Sequence, residues 1–279
     1  DSVDQEFRKI KKAQREFRAK VDQFSEAARR PNITLAVTGT TSSGKSTIAN
    51  LLIGARLLPK GVQEVSAGVV RIKHGKMPNL HIKNTKGAAW PTGTWEPDSP
   101  SDVRERLATV MEAYLTRARG GNRTDGLKPP ECIVTWPTRL GNNPQRFGLP
   151  STSRITIIDL PGLKYTDDSL SSNVIQKYTR KAFCLVAYNS LETGRRKQES
   201  LLNEVVDQIK SLGGSPARML FVLNRIDAFK KDDDSRKGKR DFIDEITRRV
   251  RNHISDALPE YNDEASAIDP LPLSSEPAL

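Results

Sequence analysis

Nine consecutive residues, Gly39 to Thr47, read GTTSSGKST and carry the chemistry of an anion cradle. Glycine at Gly39 and Gly44 frees the backbone so that successive N–H groups, including those of Thr40, Thr41, Ser42 and Ser43, can turn toward one centre. Lys45 brings a positive charge to that centre, and a helix beginning there adds the positive end of its dipole. Ser46 supplies a hydroxyl, a hard oxygen ligand suited to Mg²⁺ bridging β- and γ-phosphates, with Thr47 beside it. The pattern GxxxxGK[ST] carries weight only between a strand and a helix. Residues 33–38 (ITLAVT) form an apolar, β-branched run and residues 45–55 follow as a helix, so the context is met. Binding of a nucleoside phosphate follows.

The elements that must position this loop are legible further along. Apolar strand-like runs at 154–159, 183–189, 218–224 and 270–274 alternate with helical stretches near 170–180, 195–211 and 239–257, which predicts an α/β fold with a mostly parallel central sheet flanked by helices. Residues 74–153 are less regular, rich in Pro and Gly, with Trp90, Trp95 and Trp136 and one amphipathic helix near 102–117; they read as a long insertion into the sheet. Residues 1–30 place Val3, Phe7, Ile10, Phe17, Val21, Phe24 and Ala28 at alternating steps of four and three, with Gln14 in the one gap. That is a heptad seam on a long helix, ended by Pro31. The domain reading is therefore an N-terminal helix over 1–30 and one α/β domain over 31–279.

Two further motifs stand after strand-like runs. Asp159-Leu160-Pro161-Gly162 closes RITIID: Asp159 is placed to hold a Mg²⁺-bound water and the Gly162 N–H to contact a γ-phosphate. Asn224-Arg225-Ile226-Asp227 closes MLFVL, at the carboxyl edge where open α/β sheets bind ligands. The Asp227 carboxylate can accept from guanine N1 and its 2-amino group, and Asn224 can reach O6 and N7. A plain turn with Asp227 capping a helix explains the same residues; their order after the phosphate loop and DxxG favours guanine.

The bulk numbers narrow the class. With 45 Lys and Arg against 34 Asp and Glu, the formal charge is +11, which suits an anionic partner such as RNA or a lipid surface. The basic residues are spread over the N-terminal helix, residues 71–86 and residues 230–251, and solvated faces are the preferred reading over a binding patch. Apolar runs such as 33–37 and 183–187 are too short to span a bilayer, and the N-terminus lacks a secretion signal. The expectation is a cytoplasmic protein, at most peripheral at the inner face of a membrane. Cys132 and Cys184 lie in apolar runs and read as inert buried thiols rather than a disulfide or metal site.

The SSGKS loop, the PxG of Pro59-Lys60-Gly61 and DLPG, in this order and followed by NRID, resemble the dynamin superfamily, most like its bacterial dynamin-like members. The resemblance spans nearly the whole chain, including the helix before the sheet and the residues 273–279 (LSSEPAL), which look like the family's last nucleotide-contacting loop and add Ser274 and Ser275 to the site. It implies a Mg²⁺-dependent GTPase with GTP as substrate and GDP as product. It implies that Ser66, counted from Pro59-Lys60-Gly61, completes the metal shell and orients the attacking water, with Thr41 and Ser42 as water-orienting positions inside the phosphate loop. Thr41 departs from the Gln of eukaryotic dynamins, and Arg225 replaces the usual Lys of the base-binding motif while keeping an aliphatic stem that can pack on the purine. The resemblance further implies self-association through GTPase domains and membrane remodelling, with stalk and lipid-binding parts outside this chain. The N-terminal stripe is then expected to be only partly covered: it packs on its own domain, docks on a second copy, or frays, against a self-contained helix capping the sheet. A GTP-dependent module acting on RNA or ribosomes is the alternative; an ATP-using kinase or motor is disfavoured by NRID.

Overall fold

The computed structural model describes residues 2–39, 43–59, 68–119, 127–160, 182–189, 215–226 and 235–274, with helical positions between 199 and 210. Its centre is a nine-stranded sheet. In chain order the strands are β1 (Asn32–Gly39), β2 (Val69–His74), β3 (Asn79–Ile82), β4 (Gly93–Trp95), β5 (Glu131–Trp136), β6 (Arg154–Asp159), β7 (Phe183–Asn189), β8 (Met219–Asn224) and β9 (Leu271–Leu273). In space they run β4-β3-β5-β2-β6-β1-β7-β8-β9. The pairs from β6 through β1, β7 and β8 to β9 are all parallel. β2 turns antiparallel against β6, and β3 is antiparallel to both β5 and β4. The mostly parallel α/β sheet expected from the sequence is what forms.

The region 74–153 is more regular than its composition suggests. It supplies β3, β4 and β5, which extend the sheet beyond β2, and α3 (Pro100–Arg119), which covers one face of that extension. These strands are three to six residues long; in β2 (Val70-Arg71-Ile72-Lys73) and β3 (Asn79-Leu80-His81-Ile82) polar and apolar side chains alternate, so that one face is apolar, whereas β5 carries the short apolar run Cys132-Ile133-Val134. A search for long continuous apolar runs passes over them.

Helices sandwich the sheet. On one face α2 (Lys45–Ile53) and α3 pack Ile53, Leu107 and Met111 against Ile72, Leu80, Val134 and Ile157. On the other, Leu202, Val205 and Ile209 join α4 (Ser235–Ala257) over Val186, Phe221 and Leu223. The α4 residues Ile243, Ile246, Val250 and Ile254, which reach this core, recur at three and four, the spacing of one helical stripe. The helix expected near 170–180 lies outside the described residues.

The long N-terminal helix α1 spans Ser2–Arg29. Phe17 is 68% and Val21 46% exposed, and all side chains over 11–22 are exposed. This part of the stripe is not buried on its own domain. The side chains of Val3, Phe7, Ile10 and Phe24 lie outside the described set.

Cys132 and Cys184 are both free and buried in the sheet. Burial, and secondarily the neighbouring Glu131 carboxylate, push the Cys132 thiol up to about 12; burial pushes that of Cys184 up to about 11. Both stay protonated in the folded protein where an unfolded thiol, at 9.0, ionises. Two results are expected. The thiols resist alkylation near neutral pH until the protein is unfolded. Stability, unaffected by these groups below 9.0, falls as the pH rises from there toward 11–12, because the unfolded state loses its thiol protons first. Alkylation timed against circular dichroism, and denaturant midpoints across alkaline pH, check both.

Candidate nucleotide site

β1 delivers the phosphate loop to the carboxyl edge of the sheet. Ala36, Val37 and Thr38 are fully buried, which fixes the strand up to Gly39. At Gly39 the backbone turns to φ +139°, and a Cβ there would stand 2.2 Å from the Ala187 carbonyl oxygen of β7. Gly44 caps α2 at φ +87°, where a Cβ would stand 2.0 Å from the Asn224 side-chain nitrogen. Both glycines are thus required twice, by φ and by close approach. The Gly44 carbonyl accepts the first helical hydrogen bond, from the Ile48 N–H at 2.9 Å.

The charges at the start of α2 favour an anion. Lys45 is 7% exposed and stands in the first turn of a helix with no acidic residue in that turn. Its ammonium and the helix's positive end therefore add rather than cancel. Ser43 is fully buried, and its hydroxyl has no hydrogen-bond partner among the described residues. A buried hydroxyl in that condition costs stability unless a bound group completes it.

Asp159 ends β6 with 2% exposure, beside β1 in register with Val37. The Ser46 hydroxyl donates to its carboxylate at 3.0 Å, joining two residues 113 positions apart. The two are oxygen donors, one of them a carboxylate, a set that suits a small hard cation. Next to them the Leu160 N–H donates to the Val37 carbonyl at 3.2 Å and holds the root of the DLPG segment to β1.

Asn224 ends β8 and is 1% exposed. Its amide donates at 3.0 Å to the Ser43 carbonyl, tying the segment after β8 to the loop after β1. One of the two Asn224 amide hydrogens is thereby used on the protein itself, and the guanine O6 and N7 contact stays an expectation of the sequence. The next residue, Arg225, is at φ +62°, the left-handed region. It is the only non-glycine residue there among the described ones, at a cost of order 1 kcal/mol. Ser274 follows β9, whose Leu273 pairs with Asn224, so it lies just beyond the same edge.

The structure therefore brings Gly39, Ser43, Gly44, Lys45, Ser46, Thr47, Asp159, Asn224, Arg225 and Ser274 to the carboxyl edge of neighbouring strands. Thr40, Thr41, Ser42, Ser66, Gly162, Asp227 and Ser275 lie outside the described residues. One contributor escaped the sequence reading. Asn50, fully buried one turn after Ser46, donates to the Leu58 carbonyl at 3.0 Å and accepts the Leu58 N–H at 2.9 Å. It clamps α2 to the chain leading toward Ser66. Its signal was present: with the loop residues at the helix start set aside, it is the one polar side chain in IANLLI.

The site's glycine cradle, buried Lys45, unfilled Ser43 hydroxyl and Ser46–Asp159 oxygen pair fit a nucleoside polyphosphate with Mg²⁺. No curated protein sequence is close enough to this chain to count as a relative. Among solved structures, two from a report titled "An oligomerised bacterial dynamin pair provides a mechanism for the long range sensing and tethering of membranes" share its fold. One matches over 94% of this chain and 36% of its own length, at 15% identity and a TM-score of 0.55. The other matches over 97% and 44%, at 17% identity and 0.50. The chain thus spans less than half the length of both. The model of the dynamin family matches residues 35–226, from β1 through β8 to Ile226, and on that match this chain belongs to the dynamin family.

Proposed function

We propose that this domain binds GTP with Mg²⁺, hydrolyses it to GDP and phosphate, and couples that cycle to self-association and membrane remodelling. The observation that carries the reading is the buried Asn224–Ser43 bond, because it makes the base-recognition strand and the phosphate loop one rigid unit. A purine held at Asn224-Arg225-Ile226-Asp227 then has its phosphates set in the loop.

Within that site the chain's residues divide the work. Lys45 and the α2 N-terminus neutralise the β- and γ-phosphates. Ser46, Asp159 and Ser66 would hold a Mg²⁺ ion. Bound there, the metal would supply charge neutralisation for a transferring phosphoryl group. Ser66 through its carbonyl, and Thr41 and Ser42 within the loop, orient the attacking water. Phosphoryl transfer needs little more than this positioning and charge stabilisation.

The membership supports GTP as substrate, and the oligomerised state named for the bacterial dynamin pair supports self-association. Turnover of GTP against ATP, measured with and without Mg²⁺ and across protein concentrations, tests the reading. GTP-selective, Mg²⁺-dependent turnover whose specific rate rises with protein concentration supports it; equal use of ATP overturns it.

Ser66→Ala is expected to leave nucleotide affinity nearly unchanged and to lower kcat by about 10-fold or more, the pattern of a group that acts mainly in the transition state. Single-turnover rates at saturating GTP check this. A normal rate moves the water-orienting role to another residue.

A further inference from the structure

The sheet has a second edge, opposite the nucleotide site, and its charge is divided. β1 and β6 begin there and β2 and β5 end there, with Asn32 paired to Arg154, Lys73 to Thr156 and Asn79 to Thr135. The connecting segments are tied into one surface. The Gly75 N–H donates to the Trp136 carbonyl at 3.1 Å, Thr138 and His74 join side chains at 3.4 Å, and the Arg154 N–H donates to the Pro31 carbonyl at 2.9 Å. The Thr152 hydroxyl donates to the Arg29 carbonyl where α1 leaves the sheet.

Across this half of the edge the chain places Lys73, Lys76, Arg139, Arg146 and Arg154, all exposed, while residues 72–82 and 137–154 contain no Asp or Glu at all. None of the five forms an ion pair among the described residues. Two large apolar side chains stand among them. Met77, at the tip between β2 and β3 and next to Lys76, is 79% exposed; Phe147, next to Arg146, is 51% exposed. At the other end of the same edge, before β9, residues 256–269 carry Asp256, Glu260, Asp263, Glu264 and Asp269 with no Lys or Arg.

An apolar tip flanked by unpaired cations is the arrangement that docks on an anionic interface: the cations meet headgroup phosphates while the apolar side chain enters the acyl boundary. Among the described residues Phe147 is the one aromatic ring that stands exposed with these cations, so the base stacking that single-stranded nucleic acid needs has little to build on. A second copy would have to be accommodated around α1, which leaves the sheet at this edge with Phe17 and Val21 exposed; a membrane accepts such a helix along its surface.

We propose that the β1–β6–β2–β5 half of this edge is a docking surface for anionic phospholipid, led by Lys76-Met77 and Arg146-Phe147, with the acidic end near β9 held away from the bilayer. This deepens the membrane part of the proposed function by assigning the chain its own lipid contact, and it does not depend on nucleotide.

The test uses the whole chain without nucleotide, sedimented with vesicles of phosphatidylcholine alone or of phosphatidylcholine with phosphatidylglycerol, at low and high salt. Expected is binding to the anionic vesicles only, weakened by salt as the Debye length shrinks to about 3 Å at 1 M. Lys76→Glu with Arg146→Glu should lower the bound-to-free ratio by at least about 10-fold, given roughly 1 kcal/mol per basic residue at an anionic surface. Met77→Ser with Phe147→Ser should lower it at both salts, with unchanged melting temperature in both pairs. Equal binding to neutral vesicles, no binding at low salt, or unchanged binding in both variants overturns the proposal. So does a dimeric wild type that the charge reversal makes monomeric without altering vesicle binding, which would make the edge an interface between copies, and so does release of RNA by the charge reversal with vesicle binding intact. Guanine-nucleotide affinity of the same samples is read separately, so failure of the GTPase reading is distinguishable from failure of this one.

Discussion

Lys45→Ala is expected to weaken nucleotide binding by about 10²-fold, since a charge-assisted contact to phosphate contributes on the order of 1.5–3 kcal/mol. The loss should be larger for GTP than for guanosine, because Lys45 stands at the start of α2 and has nothing to do with the base. The folded protein should not suffer in proportion. Lys45 is 7% exposed beside the positive end of its own helix, whose dipole disfavours a cation there. The variant should gain little melting temperature on adding nucleotide, whereas the wild type gains in proportion to the logarithm of ligand concentration. Calorimetric titration with GDP and melting curves with and without it check both halves. Undiminished GDP affinity in Lys45→Ala would remove the phosphate loop from the site.

Asp227→Asn is expected to exchange the base preference, with GTP weakened by about 10²-fold and xanthosine triphosphate gaining by a comparable factor. A carboxylate accepts two hydrogens that guanine donates, whereas an amide presents a donor to one of them and leaves buried polar groups unpaired, at roughly 1–3 kcal/mol. Competition of both nucleotides for a fluorescent GDP analogue measures the exchange. Asn224 gives the contrast that makes the result interpretable. Its amide already serves the Ser43 carbonyl, so Asn224→Ala should weaken every nucleotide and lower thermal stability together, without changing the order of preference. If Asp227→Asn behaves like Asn224→Ala, weakening all bases alike, then Asp227 is structural and the guanine assignment fails.

The two motifs differ in how far the chain alone could reveal them. GTTSSGKST could be read directly because its members are covalent neighbours: φ of +139° and +87° at Gly39 and Gly44, and the helix that starts at Lys45, are local demands met by local residue types. The long apolar strands β1, β6, β7 and β8 were legible for the same reason, each being a run of six to eight residues that a buried parallel sheet requires. β2, β3 and β4 were not, because short strands in which polar residues alternate with or outnumber apolar ones carry no continuous apolar signal.

What only the tertiary structure decided is which distant residues meet. Asn224 reaches Ser43 across 181 positions and Ser46 reaches Asp159 across 113, through the parallel registers of β1 with β6 and β7 and of β7 with β8. Register depends on burial integrated over whole strands, so no local pattern contains it. The same holds for charge. Along the sequence the basic residues are scattered and read as solvated faces. Folding brings the ends of β2 and β5 to the starts of β1 and β6, which gathers Lys73, Lys76, Arg139, Arg146 and Arg154 on one half of an edge and leaves the acidic residues of 256–269 at the other end. Composition determined that this protein carries excess positive charge; strand order, set by which apolar faces must be covered, decided where that charge can act.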